Sequence, residues 1–193
     1  MRRVLPKAFF DRPTLRVAWE LLGKYLVRRI GRREVASKIT EVEAYVGPHD
    51  KASHASRGMT ERNRVMFEPA GYWYVYFTYG MHWMLNIVTE HRGYPAAILI
   101  RGVEGTSGPA RVTKFFRIGK RFNGKPASRE TGLWIEERGV KIQPRAVKRS
   151  KRIGVDYAGP WKHKPWRFYL RQSPRSVSPK GRKVYCPIGG MTH

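Results

Sequence analysis

Glu41 and Glu43 stand two residues apart in Val35–Val46, a run in which β-branched residues alternate with polar ones. Strand side chains alternate in direction, so one face of this strand carries both carboxylates. Two acids on one face can share a metal or simply pair with arginine. With 39 Lys+Arg against 14 Asp+Glu in the chain, arginine pairing is a strong default. His49, Asp50 and His54 follow the strand and would complete a Glu/Asp/His metal set. Two-metal nucleases usually gather more acids than this, and none cluster downstream, so metal catalysis is the minority reading and no metal is expected.

The second chemical signal is aromatic: Tyr72, Trp73, Tyr74, Tyr76, Phe77 and Tyr79 fall within eight residues. Alternation sets Tyr72, Tyr74, Tyr76 and Thr78 on one face and Trp73, Phe77 and Tyr79 on the other. Most aromatic strands are core, yet only one face needs to be. Tyrosines lining a cavity in a basic protein suit stacking on nucleobases, worth roughly 1–3 kcal/mol per base. A cationic base gains further from the ring quadrupole.

These residues need a scaffold. A helix is predicted over Pro13–Leu22, stopped by Gly23, with strands at Tyr25–Ile30 and Val35–Val46. His49 to Arg64 reads as a long surface loop with at most a helical turn, the kind of segment that carries function. Tyr72–Tyr79 and His82–Thr89 read as a hairpin turning near Tyr79-Gly80-Met81, followed by a buried strand at Ala96–Val103. A second helix runs from Pro109 to about Ile118, with later strands at Leu133–Glu136, Val140–Gln143 and Trp166–Leu170. Many sequential strands with few helices give an α+β class. The expected fold is a single domain over 1–193, with a curved, mostly antiparallel sheet flanked by helices and a protruding hairpin.

Composition sets the context. A chain of 193 residues with 41% hydrophobic and 12% aromatic residues folds as a globule rather than remaining disordered. Its one cysteine, Cys186, excludes an internal disulfide and a zinc ribbon and points to a reducing compartment. No segment has the length of apolar sequence needed to span a bilayer, and the N-terminus does not read as a signal peptide, so an intracellular protein without membrane contact is expected. The formal charge of +25 implies a polyanionic partner. It is concentrated late: residues 1–109 carry 17 basic and 10 acidic side chains, residues 110–193 carry 22 and 4.

At this point several blocks together resemble one family. Ile39-Thr40-Glu41-Val42-Glu43-Ala44-Tyr45-Val46-Gly47-Pro48 with His54, and Thr60-Glu61-Arg62-Asn63-Arg64-Val65-Met66-Phe67, resemble the alkyladenine (3-methyladenine) DNA glycosylases. So do Tyr74-Val75-Tyr76-Phe77-Thr78-Tyr79-Gly80-Met81 with Asn86, Leu99-Ile100-Arg101, Ser107-Gly108-Pro109, Arg152-Ile153-Gly154-Val155 and Lys164-Pro165-Trp166-Arg167-Phe168-Tyr169, in the family's order. The resemblance covers about residues 5–172. The tail from about 173 to 193 has no counterpart. The link from Arg101 to Ser107 is shorter than in vertebrate members, which bears on DNA contacts there and leaves the catalytic blocks intact.

The resemblance implies an enzyme that flips damaged purines, alkylated or deaminated, out of double-stranded DNA and hydrolyses the N-glycosidic bond, without a cofactor and as a monomer. It assigns Glu43 as the base that activates water, Arg101 as the arginine holding water and carboxylate, and the backbone carbonyl of Ile153 as a further water contact. The choice of Glu43 over Glu41 comes from the resemblance alone. Tyr45, His54 and Tyr76 correspond to the base sandwich, with Asn86 and Leu99 in the same binding pocket. Tyr79 and Met81, at the hairpin turn, correspond to the intercalating tip. Two other functions stand beside this one: a non-catalytic basic nucleic-acid-binding or ribosome-associated module, and a glycosylase/lyase acting through a lysine Schiff base.

Overall fold

Runs of β-branched and aromatic residues punctuated by glycines favour a sheet, and the computed structural model, which describes residues 2–171, builds one of ten strands. They are β1 (Arg3–Val4), β2 (Tyr25–Ile30), β3 (Arg33–Val46), β4 (Trp73–Thr78), β5 (His82–Val88), β6 (Ala96–Val103), β7 (Thr106–Ser107), β8 (Leu133–Glu137), β9 (Val147–Ser150) and β10 (Arg167–Leu170). Their order is β1-β8-β2-β3-β6-β5-β4; β10 pairs with β3 and β9, and β7 with β6. These pairings are antiparallel. Three short helices, α1 (Lys7–Phe10), α2 (Thr14–Leu21) and α3 (Pro109–Phe115), complete an α+β fold. None of the described helices is long and apolar enough to cross a membrane.

The 14-residue β3 organises the sheet. Its first half pairs with β2 and its second half, from Ile39 to Val46, with β6. Over Glu41, Val42 and Glu43 it is flanked by β6 on one side and β10 on the other. Main-chain ladders on both edges fix the backbone that carries the two carboxylates. The β3–β6 register shifts twice here: Glu41 faces Gly102 while Val42 faces Ile100, so Arg101 stands in a bulge. Bulges re-aim side chains, and this one turns Arg101 toward β3's acids. Beneath the sheet, α2 buries Val17, Ala18 and Leu21 against Ile39, Val42, Ile98 and Ile100 in one apolar core.

Most expected elements are present. Pro13 sits at the N-cap of α2. α3 ends at Phe115, short of Ile118, where Arg117 takes a left-handed conformation (φ 51°). The loop after β3 folds into two short 3-10 helices, His54–Arg57 and Arg64–Phe67. Val140–Gln143 is not a strand: Ile142 packs as a partly buried side chain over Gly23, and its backbone joins no ladder. The strand that pairs with β10 is β9 instead. The tail from about 173 to 193, with Cys186, lies outside the described residues.

Gly47 ends β3 at φ 69°, and a Cβ there would collide with the hydroxyl of Tyr94. Gly31, in the β2–β3 turn at φ 58°, faces open space. Urea unfolding should therefore show Gly47→Ala costing about 2–4 kcal/mol, strain plus collision, against about 1 kcal/mol for Gly31→Ala, strain alone. Equal costs would mean that the Tyr94 contact adds nothing.

Candidate active site

Glu43 has no solvent exposure, and three donors from three chain segments meet it. Tyr45, two residues along β3, donates its hydroxyl to Glu43 Oε2 at 3.0 Å. Arg101 on β6 donates from Nη1 to the same oxygen at 3.4 Å. The backbone N–H of Ile153 donates to Oε1 at 2.8 Å. Burial raises the Glu43 pKa above its ordinary value, opposed first by Arg101 and then by the Ile153 and Tyr45 hydrogen bonds. Glu41 is more exposed and differently held: its Oε1 accepts from Arg167 Nε at 2.6 Å and Arg101 Nε at 3.2 Å. Arg101 thus bridges both acids, and Arg167 pins the outer one.

In front of Glu43's partners lies a cavity of about 420 Å³. Tyr45, His54, Tyr76, Asn86, Leu99, Arg101 and Ile153 line it, together with Tyr74, Tyr79 and Tyr157. Its volume suits a purine-sized ligand, and five tyrosines and a histidine contribute rings to its walls. His54 and Tyr76 meet edge to face, with ring centroids 4.6 Å apart, and Tyr74 is 5.2 Å from Tyr76. His54 Nδ1 shares a 2.9 Å hydrogen bond with the Tyr74 hydroxyl. Partial desolvation and the Arg62 charge lower the His54 pKa, so the ring is neutral at pH 7. Burial pushes the Tyr76 phenol up to about 12 and the Tyr45 phenol well above its usual range, so both remain O–H donors. Asn86 is buried and donates from Nδ2 to the Tyr74 carbonyl at 3.1 Å, which fixes its amide at the cavity wall.

The loop behind Tyr45 is held by an ion pair with neither side chain exposed. Arg152 Nη1 and Nη2 reach Asp50 Oδ2 and Oδ1 at 2.5 and 2.8 Å. Asp50 also accepts the Val46 and Ala52 N–H groups, and Arg152 also donates to the Ala44 and Trp161 carbonyls. This bidentate lock joins the end of β3 to the segment that presents Ile153.

At the mouth, the β4–β5 turn carries Tyr79 at 81% exposure and Met81 at 66%. Tyr79 adopts a left-handed backbone (φ 52°), uncommon for an aromatic residue, and Gly80 follows at φ 65°. Met81 is exposed at the hairpin tip, outside the residues that line the cavity. Ile153 meets Glu43 through its N–H. The faces of β4 separate as alternation requires, with Tyr74 and Tyr76 on the cavity and Trp73 fully buried in the core. Asp50, beside His49 and His54 in the sequence, is committed to Arg152, so it does not serve a metal set. The sequence alone assigned no site role to Arg167, to Arg152 as Asp50's partner, or to Tyr157, and placed Tyr74 only on the aromatic strand face. Arg152 and Arg167 lay inside recognised blocks, but no local period links them to acids 102 and 126 residues away.

The family model described as "Methylpurine-DNA glycosylase (MPG)" matches residues 8–107 and 103–174. A protein of Methanocella arvoryzae is 46% identical over 191 residues, covering 89% of this chain and 94% of its own length. One from Legionella pneumophila (strain Corby) is 42% identical over 179 residues, covering 89% and 97%. One from Myxococcus xanthus is 42% identical over 191 residues, covering 93% and 97%. All three bear the name "Putative 3-methyladenine DNA glycosylase".

The electrostatics of Glu43 can be read directly. Carboxyl-carbon NMR should show it titrating above the ordinary value of 4.5, and Arg101→Gln should move that titration to higher pH by removing the foremost opposing charge. A shift to lower pH in the variant would mean that Arg101 does not act on Glu43.

Proposed function

The chain belongs to the methylpurine-DNA glycosylase family, and from that membership we propose how it works: it extrudes a damaged purine from duplex DNA and cleaves the glycosidic bond with water activated by Glu43. At the coarser level it is a DNA glycosylase of base excision repair, of the 3-methyladenine type. The observation that carries the finer reading is a buried carboxylate clamped by Arg101, Tyr45 and the Ile153 N–H behind an aromatic, purine-sized cavity.

Breaking a glycosidic bond builds positive charge on the sugar, so a fixed anion beside C1′ both stabilises that charge and takes a proton from the attacking water. Glu43's raised pKa makes it a better proton acceptor than an exposed carboxylate, while Arg101 retains enough of its anionic form. Of its two oxygens, Oε2 is held by the longer contacts and is the one to meet the water when DNA binds; catalytic hydrogen bonds tighten in the complex. The Ile153 carbonyl, on the same peptide segment, supplies the second water contact. Tyr45 stacks on one face of the extruded base, with His54 and Tyr76 on the other. Alkylated purines are electron-poor, which favours such rings, and they are better leaving groups than normal bases. The Asn86 amide rejects bases whose exocyclic groups it cannot satisfy, with Leu99 completing the wall. Water, not an enzyme amine, opens the bond, which makes the enzyme a monofunctional glycosylase needing no metal.

Release of hypoxanthine or an alkylated adenine from a duplex carrying one such base, in the presence of a chelator, tests this activity. Glu43→Gln should retain lesion binding while slowing release by about three orders of magnitude or more. Glu41→Gln should cost stability more than rate, because it removes the negative charge that Arg167 and Arg101 share. A folded Glu41 variant as inactive as the Glu43 variant would mean that the roles are exchanged.

Extrusion leaves a gap that a hairpin side chain must fill. Tyr79→Ala should lower the flipped population by roughly 1–3 kcal/mol, the scale of one aromatic stack, seen with a fluorescent reporter base. Melting of the free protein should barely change, since Tyr79 is 81% exposed. Unchanged flipping in the folded variant would assign the gap to Met81 or His82.

A further inference from the structure

The guanidinium of Arg152 lies 4.9 Å from the Tyr45 ring centroid and 5.1 Å from that of Trp166. Tyr45 lines the cavity and Arg152 does not, so the tyrosine ring separates a fully buried cation from the ligand space. A cation behind a ring draws on the same π density that a positively charged base would use on the front, and it repels that base through a poorly screening interior. Water can relieve such a charge only where it has access. Arg62, 5.5 Å from the Tyr76 ring, is exposed and screened by solvent. Arg152 has no such relief; its compensation is Asp50, bound in bidentate fashion and equally buried. Arg101, the guanidinium on the cavity wall itself, is likewise matched by Glu41 and Glu43.

We propose that Asp50 is a specificity-determining residue: by neutralising Arg152 behind Tyr45, it keeps the stacking face open to cationic purines. This rests on the reading of Tyr45 as a face of the base sandwich. A bare guanidinium about 8 Å behind a stacked cationic base, at an effective dielectric near 20, would disfavour that base by roughly tenfold or more and leave a neutral base little affected. The effect is thus a change in preference between lesions, which a purely structural role of the pair would not produce.

The test compares single-turnover release from two duplexes, one with 7-methylguanine in mildly acidic buffer, where it is cationic, and one with neutral hypoxanthine. Asp50→Asn should lower the cationic-to-neutral rate ratio by roughly tenfold. Arg152→Gln should raise it, because the variant removes the cation behind the ring while Asp50 keeps its Val46 and Ala52 N–H donors. The double variant Asp50→Asn/Arg152→Met, neutral like the parent pair, should return the ratio to the wild-type value. Equal losses on both duplexes in the single variants would overturn the proposal and leave the pair as scaffold. If Asp50→Asn does not fold, the other two decide: an unchanged ratio in Arg152→Gln or a displaced one in the double variant overturns it. A wild-type protein that releases neither base refutes the glycosylase reading instead.

Discussion

A carboxylate without water must be met by donors, and Glu43 draws them from β3, β6 and the segment after β9. An ionised group buried without partners would cost many kcal/mol or simply take up a proton. The three contacts keep it ionisable, and each places a demand on the fold. Tyr45 must follow Glu43 on one strand face. Arg101 must leave the regular ladder, which the bulge on β6 achieves. Ile153 must present its N–H 110 residues away, which requires the Asp50–Arg152 lock behind it. Removing one partner of such a lock typically costs about 3–5 kcal/mol, so the site and its support are bound into one cooperative unit.

Rigidity and exposure are divided accordingly. The acids sit where β3 is laddered on both edges, and the cavity floor is sheet. The parts around the cavity mouth are loops and turns: the hairpin tip with Tyr79 and Met81, the segment with Tyr157 and Ile153, and the turn holding His54. A formal charge of +25 suits the phosphate-rich DNA that the family implies as partner. A non-catalytic binding module would have no use for a desolvated carboxylate flanked by arginine at the back of an aromatic cavity.

Period-two alternation made the strands and the shared face of Glu41 and Glu43 legible, and it separated Tyr74 and Tyr76 from Trp73. It could not rank the two acids, because the difference is one of partners: Arg167 and Arg101 share Glu41, while Tyr45 and Ile153 close over Glu43. It also missed the bulge at Arg101, since register is a property of two strands rather than one. Val140–Gln143 carried a strand-like pattern, but its apolar side chains serve packing over Gly23, and β9 took the place beside β10. Asp50, weighed as a metal ligand from its histidine neighbours, found its partner 102 residues away.

The central claim is that Glu43 faces the sugar of an extruded purine, and the most direct measurement is a crystal structure of the Glu43→Gln protein on a duplex carrying one hypoxanthine. The base should lie in the cavity between Tyr45 and the His54/Tyr76 pair, with Tyr79 in the vacated stack. An ordered water should bridge residue 43 and the C1′ side of the sugar. A base left in the helix, or a sugar turned so that no water links it to residue 43, would contradict the account.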